Sequence, residues 1–135
     1  MNFIKVFLLI CLTINLNASE TLEYIEKLDI VEYEKNTSKK INNTNIVKII
    51  KSKNHITFDI GIMADNYHSC QLEGRAKMEN GLYRYREKLE NGKECILTFH
   101  QKGDTLSFED KNFACKFAFC GMRAGFDDHL FKLKK

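Results

Sequence analysis

The stretch HSCQLEGRAKMENGLYRYREKLENGKECILTFHQKGDTLSFED, residues 68–110, decides the fold. Apolar and polar residues alternate along it, and short turn signals interrupt the alternation. His68–Ala76, Leu82–Glu87, Cys95–His100 and Thr105–Glu109 read as strands, separated by Glu79-Asn80-Gly81, Glu90-Asn91-Gly92 and Lys102-Gly103. Asn-Gly supplies the positive φ that tight hairpin turns require, so two such pairs between alternating runs predict consecutive antiparallel strands. Upstream, Ile46–Lys51 and Ile56–Met63 are two more β-rich runs, joined through Ser52-Lys53-Asn54-His55.

A trial register tests whether the runs share a face. With Leu72 opposite Tyr85, Tyr83 opposite Leu97 and Leu97 opposite Phe108, one face collects Cys70, Leu72, Tyr83, Tyr85, Cys95, Leu97, Phe99, Leu106 and Phe108. Ile56, Phe58, Ile60 and Ile62 extend it, while Gln71, Glu73, Arg75, Arg84, Arg86, Thr98 and His100 take the other side. One apolar and one wet face is the pattern of an antiparallel meander. The expected fold is mainly β: five to six strands curled into a small barrel or half-barrel.

The ends of the chain read differently. In residues 19–34, Leu22, Ile25 and Leu28 recur at helical spacing, and Ile30, Val31 and Tyr33 favour a strand. A short helix running into an extended segment is expected, followed by a polar loop from Asn36 to Asn45. The opening MNFIKVFLLICLTINLNA, residues 1–18, has a positive Lys5, an apolar core from Val6 to Ile14 and a small residue, Ala18, at its end. That is the composition of a cleavable secretion signal. Its apolar core would cover only about half of the roughly 30 Å that a membrane span must cross. Ile10 before Cys11 is too bulky for a lipid-attachment site, so the exported chain is expected to be soluble in the periplasm.

Removing residues 1–18 leaves 117, enough for one domain, with a net charge of +2 and Cys70, Cys95, Cys115 and Cys120. That near-balanced charge argues against nucleic acid as a partner. An even number of cysteines in a short exported chain reads as disulfides. Cys70 and Cys95 share a face but lie two strands apart, about 9 Å between Cα atoms, beyond the ~7 Å that a disulfide tolerates. The preferred pairs are therefore Cys95–Cys115 and Cys70–Cys120, with a local Cys115–Cys120 link as the competitor. Either preferred pair would hold the C-terminal segment over the sheet, where Phe117, Phe119, Phe126 and Phe131 can plug the apolar face. Arg123 in that segment reads as a surface charge or a buried anchor.

Chemistry-bearing motifs are sparse. His55, His68, His100 and His129 lack metal-ligand spacing, and Cys115 and Cys120 have no second pair close by. Asp127-Asp128-His129 are adjacent and are expected to point apart. No nucleophile elbow, zinc-protease motif, C-x-x-C or phosphate loop occurs. No catalytic residue, cofactor or metal is assigned, and the protein is not expected to be an enzyme. Two sequences fit the N-glycosylation acceptor, Asn36-Thr37-Ser38 and Asn42-Asn43-Thr44. The first follows Glu34, as in the longer acidic acceptor of bacterial systems.

The series His68-Ser-Cys70-Gln-Leu72-Glu-Gly74-Arg-Ala76, then Tyr83 and Tyr85, Cys95-Ile-Leu97 and Cys120-Gly121-x-Arg123-Ala124-x-Phe126-Asp127 resembles small exported proteins of Gram-negative bacteria. Some of these accompany or resemble periplasmic lysozyme inhibitors, compact disulfide-bearing β-barrels. The likeness covers about residues 46–131. It implies a non-catalytic module that binds or inhibits a lysozyme or another envelope protein. Inhibitors of this kind fill a cleft with a rigid loop, and Ala64, Asp65, Asn66 and Tyr67, with Asn80 and Gly81, are the candidate binding loops. The alternative is a carrier or envelope structural protein holding an apolar ligand inside the barrel.

Overall fold

The computed structural model describes residues 19–135, so the expected secretion signal, residues 1–18, lies outside the described residues. The chain forms β1 (Glu20–Glu34), β2 (Thr37–Lys51), β3 (His55–Met63), β4 (Ser69–Glu79), β5 (Leu82–Lys88), β6 (Glu94–Lys102), β7 (Thr105–Asp110), α1 (Ala114–Phe119) and β8 (Phe131–Leu133). The strands close into an eight-stranded antiparallel barrel in sequence order. The short β8 completes the ring by pairing with both β7 and β1. Mainly β and antiparallel is as the alternation predicted, with eight strands in place of five to six.

The two additional strands are β1 and β8, and at the N-terminal end neither the helix nor the polar loop forms. Residues 20–34 and 37–51 pair one to one along their whole length, turning at Lys35-Asn36. Leu22, Ile25 and Leu28 do fit one helical face, but that face omits Tyr24 and Ile30, the two residues of β1 that are buried. A strand puts both on the inward side, and packing outweighs local spacing. The Asn36–Asn45 stretch is polar because most of it belongs to a ribbon beyond the barrel wall: β3 pairs only with Ile46–Lys51 of β2. The domain therefore starts at β1 rather than at residue 46.

The facing of the remaining strands is as expected, and their register is not. Tyr85, rather than Tyr83, lies opposite Leu97, and Phe99 rather than Leu97 lies opposite Phe108. Sliding a strand by two residues leaves every side chain on its own face, so alternation could not distinguish these alignments. β4 and β5 pair only over Lys77–Glu79 with Leu82–Arg84, so Leu72 has no strand partner in β5. There Tyr85 crosses Gly74, where a Cβ would stand 2.8 Å from the ring. Thr98, placed on the wet side by alternation, is buried between Arg84 and Glu109 of the flanking strands.

Inside, aromatic rings form a connected chain: Phe58 to Phe99 at 4.9 Å, Phe99 to Phe108 at 5.0 Å, and Phe108 to Phe131 at 5.8 Å between centroids. These are contacts that add to simple area burial. Phe126 and Phe131 fill the barrel as expected, but Phe117 is 75% exposed and Phe119 only partly covered. The first two follow the turn at Gly121 back into the barrel, whereas Phe117 projects from the outer side of α1.

Candidate functional site

Strand directions give the barrel two unlike ends. One carries the tight turns at Ser52–Asn54, Asn80-Gly81 and Gly103-Asp104. The other carries the tip of the β1–β2 ribbon, residues 64–68, the loop from Leu89 to Lys93 and everything from Lys111 to Leu130. Both disulfides lie at this second end, Cys70–Cys120 with Cα atoms 4.1 Å apart and Cys95–Cys115 at 4.6 Å. The pairing is the one preferred from strand spacing.

Asp110 adds a polar clamp to this cap. Its carboxylate accepts N–H groups from Cys115 at 3.0 Å and Lys116 at 2.8 Å, and its own N–H donates to Asp127. Burial pushes the Asp110 carboxyl above its ordinary value, and the two backbone donors oppose that shift.

The candidate binding loops are separated. Asn80 and Gly81, with φ of 49° and 82°, form the tight hairpin turn at the opposite end from residues 64–67. Asp65–Tyr67 is a single helical turn against the outer edge of β1. Past Ile25, β1 has no neighbour in β8, which would leave its edge N–H groups open. Asp65 Oδ1 accepts the Val31 N–H and Asn66 Oδ1 accepts that of Tyr33, both at 2.7 Å. The turn thus substitutes for a strand partner. Replacing Asp65 by Ala is expected to cost about 1 kcal/mol in urea unfolding and to speed hydrogen exchange at Val31.

Asn66 and Tyr67 both have left-handed backbone, φ 53° and 58°. Asn tolerates this conformation, but for a bulky aromatic residue it is strained. The same pairing recurs at Asn112-Phe113, φ 57° and 55°, where the cap begins. Each pair presents its aromatic ring half-exposed at the disulfide end. Of the large apolar side chains left exposed, six lie there: Tyr33, Tyr67, Phe113, Phe117, Met122 and Leu130. The other three, Ile46, Ile50 and Met78, lie elsewhere on the barrel.

Arg123 is exposed, not buried: its guanidinium stands 5.4 Å over the Tyr33 ring and its N–H donates to His68 Nδ1. Asp127 and His129 take different partners, whereas Asp128 and His129 line the same cleft. Asp127 holds Asp110, and His129 Nδ1 meets Glu26 at 2.6 Å. Glu26 also takes the N–H of Leu130 and the amide of buried Asn45, tying β1, β2 and the approach to β8. Neither the Tyr33–Arg123 stack nor Glu26 carried a sequence signal, because both depend on contacts between distant segments.

Asn36 is exposed at the ribbon tip, whereas Asn42 lies within β2 opposite Asp29. Among the described residues, no group of three or more His, Cys, Asp or Glu is placed to hold a metal ion. None of their helices is long and apolar enough to cross a membrane. Comparison with protein-family models, with curated proteins and with solved structures finds no match to this chain.

Proposed function

We propose that the protein is a non-catalytic binding or inhibitor module of the periplasm that engages a lysozyme or another envelope protein through its disulfide end. The observation that carries this reading is the Asn66-Tyr67 turn, strained yet fixed to β1 by two side-chain hydrogen bonds. Strain held by surrounding structure is a mark of functional sites, and a loop ordered in advance loses little entropy on binding. The disulfides accord with an oxidising compartment, and the resemblance to lysozyme inhibitors points the same way. Filling of the interior by Phe58, Phe99, Phe108, Phe126 and Phe131 favours this reading over carriage of an apolar ligand. Asn36, at the exposed tip, is the proposed glycan acceptor in a host with the matching enzyme; an unshifted intact mass after native expression would refute that.

The test is lysozyme activity at about 10 µM protein, enough to saturate a complex of ~8 kcal/mol. Inhibition is expected, and Tyr67→Gly should weaken it about 30-fold, the loss typical of one interface anchor. Glycine relieves the left-handed strain, so the variant should melt no lower than the parent. Full lysozyme activity would remove lysozyme as the partner, and inhibition unchanged by Tyr67→Gly would remove the turn as the site.

A further inference from the structure

We propose that the cleft beside β1 at the disulfide end binds a small zwitterion, of the size of an amino acid or dipeptide, by its free ammonium and carboxylate groups. This goes beyond the partner-binding reading and does not rest on it, since the Tyr67 ring is not part of the cleft wall.

The cleft has a volume of about 230 Å³ and lies between Leu28–Ile30 of β1, residues 63–65 and the cap from Lys116 to His129. At ~30 Å³ per water it holds about seven or eight waters, too little for a drug-sized molecule and enough for a dipeptide. Six charged or titratable side chains line it: Asp29, Asp65, Lys116, Arg123, Asp128 and His129. Two are already engaged, Asp65 by the Val31 N–H and His129 by Glu26. The other four, two cations and two carboxylates, form no ion pair within 4.0 Å among the described residues.

The fold keeps those opposite charges apart. Arg123 is pinned through its N–H to His68 and through its guanidinium above Tyr33, leaving the forked donors free. Lys116 runs across Gly125, with Cδ and Nζ at 3.5 and 3.8 Å from where a Cβ would sit. Asp29 is fixed on the face of a strand, and Asp128 on a loop whose neighbours Asp127 and His129 are both anchored. These four residues line one cleft without pairing with one another. A ligand bearing both signs bridges them: its carboxylate meets Arg123 and Lys116, its ammonium Asp29 and Asp128. Arginine's planar fork suits a carboxylate in two-point contact.

The experiment follows ¹H–¹⁵N spectra of the oxidised protein during titration with alanyl-alanine bearing free ends. Saturable shifts are expected at Asp29, Arg123, Gly125 and Asp128, with a dissociation constant below about 1 mM. N-acetylated and C-amidated alanyl-alanine should each bind at least about tenfold more weakly, as should Arg123→Gln and an Asp29→Asn, Asp128→Asn double variant. All three substituted side chains are exposed, so unchanged melting would accompany the loss. Absence of saturable shifts, equal binding of the blocked peptides, or undiminished binding by Arg123→Gln would overturn the proposal.

Discussion

Replacing Cys70 and Cys120 together by alanine is expected to cost about 4 kcal/mol of stability, and Cys95 with Cys115 about 3 kcal/mol, from the loop lengths they close. The respective sequence separations are 50 and 20 residues. In a domain of this size the larger loss lowers Tm by roughly 15 °C. The consequence is also local. Cys70–Cys120 fastens the exit of α1 to β4, where Gly121 also donates its N–H to Ser69. Without the disulfide, Met122 and Arg123 are held near the Tyr67 turn only by that hydrogen bond, the Arg123 N–H to His68 and the Arg123–Tyr33 contact. Urea unfolding of the two double variants checks the order. A smaller loss for the longer loop would show that the cross-links act through native contacts rather than by restricting the unfolded chain.

Phe99→Ala is expected to cost about 3–5 kcal/mol, because it removes the central ring of the interior and leaves a void that the surrounding strands cannot close. Phe99 is 1% exposed and touches both Phe58 and Phe108. Phe117→Ala, which removes a 75% exposed ring, should stay within about 0.5 kcal/mol. Thermal or urea denaturation of the pair separates filling of the barrel from decoration of its surface. Similar losses at the two positions would contradict the packing described here.

The parts of the fold legible in the sequence were those with short-range signatures. Asn80-Gly81 announced a turn, and strict alternation from Ile56 to Phe108 announced which side chains face inward. The same alternation gave the disulfides, since the spacing of β4 and β6 keeps Cys70 from Cys95. It could not give register, which a two-residue shift leaves invisible, as Leu97 and Phe99 illustrate. The β1–β2 ribbon lacks such a signature, because Leu22, Ile25 and Leu28 fit a helical face equally well and most of Asn36–Asn45 pairs beyond the barrel wall. At the candidate site, residues 64–67 were visible as a loop, but nothing in an Asn-Tyr or Asn-Phe pair signals left-handed backbone. The Asp65 and Asn66 bonds to β1 span more than 30 residues of chain. Arg123 was visible as a residue and ambiguous as a role; only its place above Tyr33 resolves that.

The central claim is that a partner protein docks on the disulfide end and not on the opposite one. A photo-crosslinking residue placed at Tyr67 and, separately, at Asn80 tests it most directly, with irradiation of intact cells that express the full chain. A discrete protein adduct is expected from position 67, abolished when both disulfides are removed, and none from position 80. An adduct from position 80 with none from position 67 would contradict it.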